Sequence, residues 1–238
     1  MKAYGQFCPL AQASQLLCER WTLLIVRELI AGSHRFSELQ KGVPLMSPSL
    51  LSKRLKQLVG AGVIAHDING TGNSYQLTAA GEELRPIVEL MGAWGHRWVH
   101  TNLQEEDLDA GLLMWDMRRS IDPGAFPMRR VVVQFEYPDA YRGARDWWLI
   151  AEAGEIDLCL EDPGHEIDLL IRCSLAAMTS VWTCERSFND AVEKGEIKVM
   201  GDPRLGKKLQ QWLRSSLLSR LGSLEKMPEI SWPTTICP

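Results

Sequence analysis

The chain has 238 residues, 45% of them hydrophobic and 24% charged, a balance that excludes a disordered or fibrous protein and leaves room for two globular domains. Its formal net charge of −4 argues, taken as an average, against nucleic acid as a partner. No apolar run approaches the ~20 residues of a membrane helix, and the start MKAYGQFCPLAQAS lacks the apolar core of a secretory leader. The six cysteines form no C-x-x-C, so a soluble cytoplasmic protein with reduced thiols and no membrane partner is expected.

The first hundred residues read as mostly helical with one hairpin. Residues 11–31 carry Leu16, Leu17, Trp21, Leu24, Ile25 and Leu29 close to the i, i+3, i+4, i+7 spacing, which predicts one core-facing helix ended by Gly32. A short helix follows over 36–41, stopped by Gly42 with Pro44 beyond. Ser47 followed by Pro48 starts the next helix, which runs to about Gly60. VIAHDI and SYQL are short strands around the Gly/Asn-rich loop NGTGN. Thr78 then caps a helix with Leu84, Ile87, Val88, Met91, Trp94 and Trp98 along one stripe, bent near its start by Pro86. A stripe that long in so small a domain predicts an exposed apolar seam.

The acidic run QEEDLD marks a boundary, followed by an apolar patch from Leu112 to Trp115 in a helix ending near Ser120. Beyond it the period changes to that of strands. RRVVVQFEY, RDWWLIAEA, EIDLCLED and EIDLLIRCSL are β-rich, with alternation in Ile156, Leu158 and Leu160 and again in Ile167, Leu169 and Ile171. Helices over 176–184 and 187–194, the short strand EIKVM and an amphipathic helix over 203–213 complete this half. The expected fold class is α+β. A helical domain occupies 1–101, a linker and helix 102–127, an α/β domain 128–224 and an extended tail 225–238.

The charge average conceals a gradient. Residues 1–105 hold 10 Lys+Arg against 8 Asp+Glu, whereas the rest hold 16 against 22. Within 33–66, Arg35, Lys41, Lys53, Arg54 and Lys56 face Glu38 alone, and local cations rather than the total decide DNA affinity. Helix, turn, helix and glycine-bounded hairpin is the order of a winged helix–turn–helix. In its second helix Leu51, Leu55 and Leu58 share an inward face, while Ser49, Ser52, Lys53 and Lys56 share another. Short hydroxyls allow approach to base edges and lysines reach phosphates. The candidate DNA-contact set is Arg35, Ser37, Ser47, Ser49, Ser52, Lys53, Arg54 and Lys56, with Asn69, Thr71 and Asn73 in the wing. The alternative for this polar face is a solvated surface in a protein-interaction module.

Cys8-Pro9, LLCERWTLLIVREL, RFSEL, SPSLLSKRLKQLVGAGVI and SYQLTAAGEEL, in register over about residues 5–100, resemble the HxlR-type winged-helix regulators, which are related to the MarR group. The resemblance implies a homodimeric, sequence-specific transcriptional regulator on double-stranded operator DNA, expected to repress. It also implies an interface built from the first and last helices of the DNA domain, which assigns Leu84, Ile87, Val88, Met91, Trp94 and Trp98 to a partner subunit. Some relatives carry a redox-sensing thiol where Cys8 stands, and a sensor must be accessible and near the positive end of a helix dipole. Cys18 is expected to be packed within the first helix.

Residues 125–220 more loosely resemble a sterol-carrier-protein-like domain, in which a strand, two helices, a glycine-bounded strand and a closing helix surround an apolar pocket. Trp115, Trp147, Trp148, Met178 and Trp182 are the candidate walls for an apolar small-molecule effector, against the plainer reading of ordinary core. Adjacent Trp147 and Trp148 point to opposite sheet faces, so at most one lines a given pocket. His96 and His100 have helical spacing without the glutamate of an H-E-x-x-H motif, so no metal is expected. No cofactor and no catalytic constellation is expected either, and an enzyme is disfavoured. The rival function is a lipid or ligand carrier whose winged helix docks another protein.

Overall fold

The computed structural model of the chain describes residues 4–68, 73–99, 104, 107–213, 216 and 218, without the side chains of Gln210 and Gln211. Two apolar cores organise it. The first gathers Ile25, Leu29, Leu39, Met46, Leu51, Leu55, Leu58 and Ile64 from a set of short helices and a hairpin.

The single helix expected over 11–31 is two, α1 (Pro9–Leu17) and α2 (Thr22–Ile30). Trp21 breaks them apart with a left-handed φ of 78°. Such a conformation is costly for a bulky residue, but it brings both Leu16 and Trp21 against the same core. Cys18, at the end of α1, is exposed rather than packed. After α3 (Phe36–Gly42), α4 (Pro48–Gly60) starts where Ser47 and Pro48 place it, with Ser47 Oγ accepting from Leu50 N at 3.3 Å. Strands β1 (Ile64–Asp67) and β2 (Ser74–Leu77) pair antiparallel. Tyr75 N donates to His34 O at 2.7 Å, so the entry to α3 lies against the hairpin.

The helix expected after Thr78 is also divided, into α5 (Ala79–Glu82) and α6 (Arg85–Trp98). Pro86 stands in the first turn of α6, where a missing N–H costs nothing. It therefore opens a helix rather than bending one. Gly81 explains part of the SYQLTAAG motif, since a Cβ there would lie 2.2 Å from Val63 O. Only glycine lets α5 seat on the turn before β1.

The second core is larger and surrounds one face of a five-stranded sheet ordered β5-β4-β3-β6-β7. Its strands are β3 (Val131–Glu136), β4 (Asp146–Glu152), β5 (Glu155–Cys159), β6 (Leu169–Cys173) and β7 (Ile197–Gly201). β3 and β6 run parallel and the other neighbours antiparallel. The expected alternation stops early: Leu160 and Ile167 lie beyond the strand ends and are exposed, whereas Ile156, Leu169 and Ile171 are buried. Helices α7 (Ala110–Ser120), α8 (Leu175–Trp182), α9 (Phe188–Glu193), α10 (Pro203–Lys207) and α11 (Leu209–Trp212) accompany the sheet. The amphipathic helix expected over 203–213 is thus divided at Lys208. α7 is no simple linker: Leu113, Met114 and Met117 sit in the sheet's core, while α7 also meets α3.

Among the described residues no helix is long and apolar enough to cross a membrane. The expected tail over 225–238 lies outside the described residues.

Candidate nucleic-acid interface

α4 separates its faces as its sequence demands. Leu51, Leu55 and Leu58 are buried, whereas Ser49, Lys53 and Lys56 are exposed and Ser52 is half-buried. Ser47 is exposed, but its hydroxyl is engaged in capping α4 and in contact with Ser49 Oγ at 3.2 Å. Neither Lys53 nor Lys56 forms an ion pair among the described residues. On α3, Ser37 is exposed, and Arg35 stands exposed at its N-terminus. There Glu38 accepts from Arg35 N at 2.9 Å and from His34 N at 2.8 Å. Desolvation raises the Glu38 carboxyl, but these backbone donors outweigh it and hold it below its usual range.

Arg54 departs from expectation. Its side chain is 12% exposed and ion-paired with Glu19, and its Nε donates to Arg20 O at 3.3 Å. It fastens α4 to the turn between α1 and α2 instead of facing outward. In the wing, Asn69 and Thr71 lie outside the described residues, as does His100. Asn73 is exposed and bonds to His66, whose ring stacks on Tyr75 with centroids 4.3 Å apart.

The predicted α6 seam splits. Val88 is buried and Leu84 packs against the first core, so both support their own domain. Ile87, Met91, Trp94 and Trp98 remain as one exposed stripe, and Phe7 and Leu10 near the start of the chain are exposed as well. Cys8 is exposed at the N-cap of α1.

The pocket set is also divided. Trp147 belongs to the sheet core, and its Nε1 donates to Ala144 O at 2.8 Å. Trp148 is buried outside that cluster, as the alternation of adjacent strand residues requires. Met178 and Trp182 are core, at 1% and 7% exposure, on a helix that meets α7 and α9, and their burial makes them packing residues. Trp115 lies on α7 beneath α3, with Lys41 Nζ 4.7 Å from its ring centroid and Arg118 Cζ at 5.4 Å.

The joint between the two cores holds a charged cluster that sequence reasoning missed. Glu28 on α2 is 0% exposed. Its carboxylate receives Arg27 at 2.7 Å and, from α7, Arg119 at 2.5 Å. Burial pushes the Glu28 carboxyl upward, but the two guanidiniums outweigh it and hold it below the usual range. Asp116, also paired with Arg119, is instead raised, because its burial dominates. A Cβ on Gly42 would fall 1.9 Å from the Glu28 carboxylate, so the end of α3 must be bare there. The signal was present in the sequence, since Glu28 falls between Ile25 and Leu29 on the apolar face of α2. No group of three or more potential metal ligands occurs among the described residues.

Residues 16–103 match a family model described as HxlR-like helix-turn-helix. The chain is 37% identical over 99 residues to the HTH-type transcriptional regulator YvaP of Bacillus subtilis, spanning 40% of this chain and 92% of that protein. It is 33% identical over 112 residues to the HTH-type transcriptional regulator sll1512 of Synechocystis, spanning 46% and 80%. Among solved structures, the reduced form of the transcriptional regulator YodB from B. subtilis covers 40% of this chain and 97% of its own, with 29% identity and a TM-score of 0.35.

Proposed function

The chain belongs to the HxlR-like helix-turn-helix family, and from that premise we propose that it acts as a homodimeric repressor, with α4 in the major groove of operator DNA and an effector-responsive C-terminal region. Transcription regulation through DNA binding is the activity of its relatives. The observation that carries the DNA reading is α4 itself, whose leucines are buried while Ser49, Lys53 and Lys56 stand outward, the lysines with no ion pair among the described residues. Arg35 at the entry to α3, Ser37 on it and Asn73 beside the wing extend this surface. Dimerisation uses the exposed stripe of Ile87, Met91, Trp94 and Trp98, and two-fold symmetry then calls for half-sites about one helical turn apart.

In this reading, residues 1–101 form the DNA-binding and dimerisation unit and 128–224 the effector-responsive one. The order β6, α8, α9, β7, α10 supports the sterol-carrier-like pattern for the latter. Cys8, exposed ahead of α1, is the oxidant-sensing candidate; Cys8→Ser should leave operator binding intact and abolish any release by oxidants. The deciding experiment is a mobility shift with the upstream promoter region across salt concentrations. Binding that weakens with salt and is reduced by Lys53→Ala with Lys56→Ala is expected. Absence of any shift at low salt removes the DNA reading and favours the carrier alternative.

A further inference from the structure

A cavity of about 490 Å³ lies where the two cores meet. One side comes from the winged-helix half, through Arg35 and Lys41; the other comes from α7 and the sheet, through Trp115, Arg118, Trp147 and Leu158. The volume falls in the range of about 300–1,000 Å³ typical of small-molecule sites. It is not the apolar chamber inside the C-terminal fold that the tryptophan count suggests, because Met178 and Trp182 are consumed by the core.

The lining specifies a chemistry. Trp115 and Trp147 are 7% and 6% exposed, so the cavity is edged by two large rings held in place. Trp147 Nε1 is satisfied by Ala144 O, whereas Trp115 Nε1 is buried without a hydrogen-bond partner among the described residues. Both ring nitrogens are closed off from the cavity, so the polar chemistry of its lining is that of its charged side chains. Three cations border the same space: Arg35, Lys41 and Arg118. None is ion-paired among the described residues.

The carboxylates nearby are mostly committed. Glu38 caps α3 through His34 N and Arg35 N, and Asp109 caps α7 by accepting from Leu112 N at 2.9 Å. Asp157 alone is exposed without such a role. Lys41 and Arg118 rest on the Trp115 ring, a contact that leaves their charge unneutralised, so positive charge without a carboxylate partner among the described residues exceeds the uncommitted negative charge.

We propose that this joint cavity binds planar aromatic carboxylates, the ring on the apolar side formed by Trp147, Leu112 and Leu158 and the carboxylate among Arg35 and the Lys41 and Arg118 side chains that rest on Trp115. The proposal rests on the effector reading above and specifies its site and ligand class. Because Arg35 belongs to both the cavity and the candidate DNA surface, a ligand carboxylate that takes Arg35 competes with a phosphate. Linkage makes the antagonism reciprocal, so DNA weakens the ligand by the factor by which the ligand weakens DNA.

Isothermal titration calorimetry of the full chain with 2-naphthoate and with its uncharged amide, 2-naphthamide, tests this without DNA. The expected result is saturable binding of one 2-naphthoate per chain, about tenfold weaker for the amide, and weakened several-fold by Lys41→Gln and by Arg118→Gln. Both replaced side chains leave the two apolar cores untouched, and a thermal melt verifies that each variant is folded. Equal affinity for acid and amide, indifference to both substitutions, or no binding at millimolar ligand each overturns the proposal. Operator binding is scored separately by mobility shift, so loss of the ligand site and loss of the regulator reading are distinct results.

Discussion

The outer face of α4 and the surface of the C-terminal sheet treat their charge differently. The C-terminal sheet ties Arg129 to Asp168, Arg130 to Glu152, Arg172 to Glu136 and Arg186 to Glu196, all on its own surface. α4 leaves Lys53 and Lys56 outward and without an ion pair among the described residues, and uses Arg54 internally. The difference is local to α4, because Arg27, Arg54 and Arg85 of the winged-helix half are ion-paired as the sheet's arginines are, and the outer face of α4 is not. Between them, Glu28 and Arg119 form a buried pair that belongs to neither surface and joins the two cores. The contrast teaches that an overall charge of −4 describes neither half; what matters is which cations already have partners.

Breaking the joint should have the largest effect. Arg119→Ala removes one of the two guanidiniums on a fully buried carboxylate and should cost about 3 kcal/mol. At this chain length that lowers the melting temperature by roughly 6–12 °C, measurable by calorimetry. Gly42→Ala attacks the same carboxylate by intrusion and should destabilise in the same direction. The pH dependence has a defined sign. Glu28 ionises below its ordinary value in the folded chain, so its stabilisation is present above that ordinary value and is lost as pH falls through the lower folded one. Asp116, raised by burial, acts oppositely and costs stability as pH rises through its raised value. Glu28→Gln should therefore flatten the acid side of a melting-temperature profile taken from about pH 7 down to about pH 3.

An intermediate effect is expected at the outward cations. Lys53→Ala with Lys56→Ala should reduce operator affinity by about tenfold or more at moderate salt, with no change in melting temperature beyond about 1–2 °C. Disrupting the α6 stripe with Met91→Glu should convert dimer to monomer by light scattering and weaken operator binding with it. The smallest effect belongs to the sheet surface, where Arg130→Ala removes an exposed ion pair and should cost less than about 1 kcal/mol. A large loss there, or a negligible one at Arg119, would erase the distinction between joint and surface.

Local signals in the sequence located α4, because a serine cap, a proline and three spaced leucines act within one segment. They located the hairpin and the five strands for the same reason. The break at Trp21 was hidden, since a left-handed tryptophan has no composition signal of the kind glycine supplies. The break before α6 was legible only as a proline, whose effect depends on whether it falls in the first turn. Arg54 shows a further limit: its helix position was right, but its partner Glu19 lies 35 residues away. The joint was less legible still, because Glu28 and Arg119 are separated by 91 residues. The cavity draws its walls from α3, α7, β4 and β5, and no single segment records that convergence.

The most direct test of the central claim, that α4 engages operator DNA through cations the fold leaves free, is the salt dependence of operator affinity for the full chain and for Lys53→Ala. The account predicts a linear fall of log affinity with log salt, and a slope shallower by about 0.9 for each phosphate contact removed, hence about 1.8 for a dimer. An unchanged slope in the variant, or an affinity insensitive to salt, would contradict it.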